Sequence, residues 1–200
     1  MPEHFTLYGG TALALRLGHR ESADFDFFSN RTFDPDDLAS HLPLLQHAER
    51  IQVAANTLTC RIERGGPVLV SFFGALGIGC VSQPDRTADI GLNVASLLDI
   101  AGTKAAVVQK RAETKDYLDI AALLMNGIDL PTALAAAGII YGEMFNPVIT
   151  LKALSYFDDV PDLPADARKQ LTTAVTGVDP NRLPKLSPYR ARPDGRGMQP

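Results

Sequence analysis

Tryptophan is absent, cysteine occurs twice and histidine four times in 200 residues. Two cysteines are too few for a disulfide framework, so a reduced, cytoplasmic protein is expected. Cys60 and Cys80 sit in apolar, strand-like contexts and read as small core residues rather than nucleophiles. His4, His41 and His47 show no metal-ligand spacing. No apolar run reaches the length of a membrane span, and Met1-Pro-Glu-His-Phe5 lacks the basic-then-apolar pattern of a signal peptide, so no membrane partner is expected. A basic excess is missing too. Nineteen Lys and Arg face 23 Asp and Glu, a net charge of −4, and no global field favours nucleic acid. The last twenty residues reverse this balance, because Arg182, Lys185, Arg190, Arg192 and Arg196 oppose only Asp194.

What is present is globular. Hydrophobic residues make up 46% and charged residues 21%, which excludes a disordered chain or a fibre and suits one domain with a small appendage. Residues 5–8 read as a buried strand, ended by Gly9-Gly10, and 11–17 as a short helix closed by Gly18. Residues 23–28 alternate as a second strand, with Phe25 and Phe27 on one face and Asp24 and Asp26 on the other. Asp34-Pro35-Asp36-Asp37 starts a helix that Pro43 is expected to kink. Strands are predicted over 51–55, 56–62 and 68–73, with Glu63-Arg-Gly-Gly66 as a hairpin turn, and a further short strand near 78–81. From Ser96 the period turns helical. A helix runs to about Arg111, Thr114 caps the next through Met125, and two or three more follow to Gly177.

Gly9 to Asp26 carries the chemistry. Two glycines at a helix start let backbone N–H groups approach a ligand, and the helix N-terminus suits a phosphate. Asp24 and Asp26, two apart on a strand, present two carboxylates on one side, which suits Mg²⁺ with substrate phosphates. Arg16, His19 and Arg20 add positive charge nearby. Taken singly, Gly-Gly is commonly just a turn and Asp-x-Asp commonly solvated polar surface. Together, one helix and one loop apart, they let phosphate and metal meet.

Gly9-Gly10-Thr11 followed by Asp24-Phe25-Asp26 resembles the signature of the DNA polymerase β-type nucleotidyltransferase superfamily. The string LYGGTALALRLGHRESADFDFFS is more closely similar to the AbiEii/AbiGii toxin family, and TKAAVVQKRAETKDYLDIAALL resembles that family's second block. The resemblance spans residues 5–125 and implies an α+β fold: a nucleotidyltransferase-like mixed sheet with flanking helices, then a helical C-terminal region. The expected layout is a core over 1–95, a helical region over 96–178 that completes the site and packs on the core, and, from five prolines and no apolar periodicity, a Pro-rich basic tail over 179–200 without fixed structure.

The resemblance further implies a toxin of a type IV toxin–antitoxin or abortive-infection system. It would transfer NMP from an NTP to an acceptor hydroxyl, RNA or tRNA in characterised members, with a cognate antitoxin as partner. Implied catalytic residues are Asp24, Asp26, Lys104 and Asp116. Nucleotide binding falls to Gly9, Gly10, Thr11, Arg20, Ser22 and Lys104, and Mg²⁺ to Asp24 and Asp26. Beside these stand plainer readings. Lys104 lies in line with a buried helix stripe, where it either snorkels or points into a phosphate site. Asp116 suits a first helical turn by the dipole alone, and Asp119, one helical turn later, could instead pair with Lys115. Tyr8 is a base-stacking residue or a packed core tyrosine. One departure stands out: the superfamily's third carboxylate is expected on the strand after Asp-x-Asp, where this chain has Ser71. That keeps two alternatives open, a protein acceptor and a non-catalytic nucleotide-binding module.

Overall fold

The computed structural model describes residues 1–189. They fold as two compact units, Met1–Ile78 with Pro84–Ala95, and Gly79–Gln83 with the chain from Ser96 onward.

The first unit holds a seven-stranded mixed sheet. β1 (Thr6–Tyr8) runs into α1 (Gly9–Leu17), which ends on Gly18 in the left-handed conformation, its N–H bonded to the Ala14 carbonyl. β2 (Phe25–Phe28) returns antiparallel to β1. α2 (Pro35–His41) is capped by the Asp34 carboxylate, which accepts from the Asp36 and Asp37 N–H groups at 2.9 and 2.8 Å. The helix stops two residues before Pro43, and a 3₁₀ turn, Pro43–Leu45, follows. Pro43 therefore lies beyond the helix rather than kinking it, since proline cannot donate to a helix interior. β3 (Glu49–Ala54), β4 (Thr57–Glu63) and β5 (Pro67–Phe73) form an antiparallel meander, and β6 (Asp85–Arg86) and β7 (Asn93–Val94) complete the order β3-β4-β5-β2-β1-β7-β6. β2–β5 and β1–β7 are the parallel pairs. β6 and β7, of two residues each, are too short to leave a sequence pattern.

Strand alternation sorts the sheet into rows. Leu7, Phe27, Phe72 and Leu58 are register neighbours across four strands, all at most 3% exposed. Burying each such side chain contributes about 1.5–3 kcal/mol. Phe72 stacks on Phe27 at 5.1 Å and meets Phe5 edge-on at 5.2 Å. The next row, on the opposite face, is Tyr8, Asp26, Ser71 and Thr59. Core packing thus forces a polar row onto the other face.

The second unit is helical: α3 (Leu97–Val107), α4 (Thr114–Met125), α5 (Leu130–Tyr141), α6 (Pro147–Ala153) and α7 (Ala165–Thr176). Its core gathers Tyr117, Ile120, Leu130, Leu134, Leu154 and Leu171. Ser96 caps α3, accepting from the Asp99 N–H at 3.0 Å. Asp99 reaches back to its cap, its Oδ2 accepting from the Ser96 hydroxyl at 2.6 Å. Its buried carboxylate accepts from the Val81 and Ser82 N–H groups at 2.6 and 3.0 Å.

The strand expected near 78–81 does not form. Asn30 exchanges two hydrogen bonds with Ile78 in the first unit, and Asp99 takes the N–H groups of Val81 and Ser82 in the second. Side chains thus satisfy backbone that a sheet ladder would otherwise pair. The tail expected from residue 179 has neither helix nor strand as far as 189, yet Leu183 packs against the helical core and the Tyr189 N–H donates to the Cys80 carbonyl at 2.7 Å. The rest of that tail lies outside the described residues. No single helix among the described residues is long and apolar enough to cross a membrane.

Candidate active site

The first cluster of predicted residues gathers where β1 meets α1. Tyr8, the N-cap of α1, gives no side-chain cap, and the first turn carries no acid. Gly9 has φ +74°, a conformation that favours glycine, and a Cβ there would stand 2.8 Å from Asp26 Oδ2. A Cβ on Gly10 would collide with the Arg20 guanidinium and stand 3.1 Å from Ser22 Oγ. The two glycines therefore make room for one carboxylate and one guanidinium over bare backbone.

Thr11 serves this corner differently from the expectation. It is 3% exposed, and its hydroxyl lies within hydrogen-bond reach of Ser22 Oγ, at 3.0 Å, and of the Asp24 carbonyl. It ties the loop before β2 to α1. Asp24 also departs from expectation, because β2 begins one residue later, at Phe25. Its exposed carboxylate accepts the Leu69 N–H at 3.1 Å, so one oxygen extends the link between β2 and β5. Arg16 is not part of the corner's free charge. Its guanidinium pairs with Asp85 at 2.6 Å and donates to the Val94 carbonyl at 3.2 Å. Tyr8 is 6% exposed and stacks on Phe28 at 4.9 Å, the packed-core reading.

Lys104 and Asp116 come together in the second unit, on α3 and α4. Lys104 neither snorkels nor stands free. Its ammonium lies 2.7 Å from Asp116 and 2.5 Å from Asp119, with the lysine side chain 6% exposed and both acids fully buried. Asp116 and Asp119 are three apart on α4 and so share its lysine-facing side. This corrects the expected Asp119–Lys115 pair, since Lys115 bonds Glu113 at 2.8 Å. Lys104 is thus engaged by two carboxylates of the next helix. Arg111 Nε closes the cluster from outside, 2.8 Å from the second Asp116 oxygen. Burial alone would push the Asp116 pKa up. The Arg111 hydrogen bond and the Lys104 charge outweigh it and hold the carboxyl below the usual range. Helical period signalled that Lys104 faces inward, but not which acids wait there.

Cys60 is buried on β4, as the core reading expects, whereas Cys80 is only partly buried and outside any strand; burial and the Asp99 charge push its thiol up to about 12, away from the reactive thiolate.

The mixed sheet with its glycine corner and Asp-bearing strand is similar to a nucleotidyltransferase toxin fold. The chain is similar in structure to MenT4, a nucleotidyltransferase toxin from Mycobacterium tuberculosis H37Rv, with TM-score 0.58 and 17% identity over 88% of this chain and 77% of that one. The family model for the nucleotidyl transferase AbiEii toxin of type IV toxin–antitoxin systems matches residues 1–185, and the chain belongs to that family. It is also 31% identical over 158 residues to an uncharacterized protein of Aquifex aeolicus (strain VF5), covering 78% of this chain and 74% of that protein.

Proposed function

We propose that this AbiEii-family chain is a cytoplasmic, Mg²⁺-dependent toxin that transfers NMP from an NTP to an acceptor hydroxyl, with RNA, and tRNA in particular, as the favoured acceptor. The observation that carries the reading is the Gly9–Gly10 corner with Asp26 and Arg20 crossing it. In this reading the α1 N-terminal N–H groups bind the triphosphate, aided by the helix dipole. Arg20 and Ser22 orient it. Thr11 positions the loop that carries Asp24.

The donor set fits a hard cation: the Asp26 carboxylate stands at a cradle that a Cβ would fill, with Asp24 two residues before it, as suits Mg²⁺ held by one or two acids plus phosphates. Asp24 and Asp26 would hold it, and when bound it supplies neutralisation of the triphosphate and of the leaving pyrophosphate. The chain's own part is positioning and charge, as in phosphoryl transfer generally. Lys104 and Asp116 enter the reading as each other's partners, so their variants must be scored for folding before chemistry. Arg111 and Lys115, each about half exposed, are the basic residues of the second block offered to an RNA backbone, although both also pair with acids. A cognate antitoxin is the expected protein partner.

The test is label transfer from each α-³²P-NTP in Mg²⁺, with total RNA and cell protein as separate acceptors. Label on RNA that disappears in Asp26→Asn, with unfolding unchanged, is the expected result. Label on protein alone would move the acceptor to a side chain. No label on either, with nucleotide still bound, would favour the non-catalytic module, the reading that Ser71 supports.

A further inference from the structure

The inference rests on the nucleotidyltransferase reading and concerns how many cations its carboxylates hold. Asp26 and Ser71 are register partners in the parallel β2–β5 ladder, so their side chains share one sheet face. Ser71 in turn lies opposite Thr59 in the antiparallel β4–β5 ladder, and Thr59 Oγ1 donates to Ser71 Oγ at 3.2 Å. Both residues are buried, at 7% and 8% exposed. The place beside Asp26 where another hard anion could stand is thus filled by a neutral pair of hydroxyls bonded to each other. One lone-pair site of Asp24 is already used, because Oδ1 accepts the Leu69 N–H. Among the described residues, no group of three or more His, Cys, Asp or Glu side chains is arranged to hold a metal ion.

We propose that the Asp24–Asp26 pair holds a single divalent cation, and that Ser71 sets this number. Two carboxylates balance one divalent charge. A second cation about 3.5–4 Å from the first would meet strong repulsion, to which the Arg20 guanidinium in the same corner adds. A hydroxyl already engaged by Thr59 is a poor substitute for that anion. Ser71 is a specificity-determining residue here: it fixes the charge of the row without itself ligating.

The experiment titrates the full chain with Mn²⁺ alone, with no nucleotide, counting bound ions by electron paramagnetic resonance of free Mn²⁺ and by calorimetry. Wild type binds one Mn²⁺ per chain, Asp26→Asn loses it, and Ser71→Ala keeps the count at one. Ser71→Asp, checked for folding by circular dichroism, gains a second Mn²⁺ or tightens the first by about tenfold or more. Two comparable Mn²⁺ ions on wild type, or Mn²⁺ binding by folded Ser71→Asp that matches wild type, would overturn the single-cation inference and leave the nucleotidyltransferase reading standing. No Mn²⁺ on wild type, or equal binding by Asp26→Asn, would overturn the metal assignment underneath it. If Ser71→Asp does not fold, the wild-type count decides.

Discussion

Replacing Lys104 by methionine keeps an unbranched apolar stem of similar reach and removes only the ammonium. The variant leaves Asp119 and Asp116, both fully buried, without the charge that bonds them at 2.5 and 2.7 Å. Asp116 retains Arg111 at 2.8 Å, so Asp119 bears most of the loss. Breaking a buried ion pair by removing one partner costs about 3–5 kcal/mol, because the remaining charge has lost its compensation. A chain of this size loses about 2–4 °C of melting temperature per kcal/mol, so Lys104→Met is expected to melt about 6–20 °C below wild type. Thermal and urea unfolding followed by circular dichroism measure this.

The double variant Lys104→Met with Asp119→Leu also removes the buried carboxylate that Lys104 compensated, and is expected to recover at least half of the loss. That recovery separates an uncompensated charge from a packing defect. A single variant within about 2 °C of wild type, or a double variant less stable than the single, would refute the reasoning.

Asp116→Asn is expected to flatten the acid limb of unfolding. Its folded pKa is lowered, so its contribution is complete above the unfolded value of about 3.9 and fades as pH falls through the folded one; the gap to wild type closes below about pH 4 in pH-dependent urea titrations. Gly9→Ala forces a left-handed residue at a cost of about 1–2 kcal/mol and pushes on the Asp26 carboxylate, so label transfer is expected to fall well beyond the modest drop in melting temperature. Gly102→Val drives a side chain against α5 backbone, where even a Cβ stands 2.9 Å from Ala136 and Ala137, and the expected result is loss of the cooperative melt. Truncation after Asp179 removes Leu183 from the helical core and the Tyr189 hydrogen bond; a lower melting temperature than a chain ending at Tyr189 is expected, and equal stability would show that this segment adds nothing.

Local chemistry was legible in the sequence wherever one short segment determines the outcome. Asp34 had to cap a helix ahead of Pro35, Gly18 had to end one, and Glu63-Arg-Gly-Gly66 had to turn a hairpin, because each uses backbone preferences of neighbouring residues. The glycine corner was legible for the same reason: only glycine readily takes φ +74° at Gly9. Partnership across the chain was not legible. That Lys104 is claimed by Asp116 and Asp119, that Asp99 reaches Val81 and Ser82, and that Asn30 holds Ile78 all depend on side chains 12 to 48 positions apart meeting only after the elements pack. Sequence spacing gives a charged residue its helix face, whereas the counter-charge, and so the residue's freedom to act, is chosen by which helix lands opposite. The same holds in the sheet. Ser71 could be read as a missing acid from its strand, but only the parallel β2–β5 register sets it beside Asp26, and only the antiparallel β4–β5 register brings Thr59 to its hydroxyl.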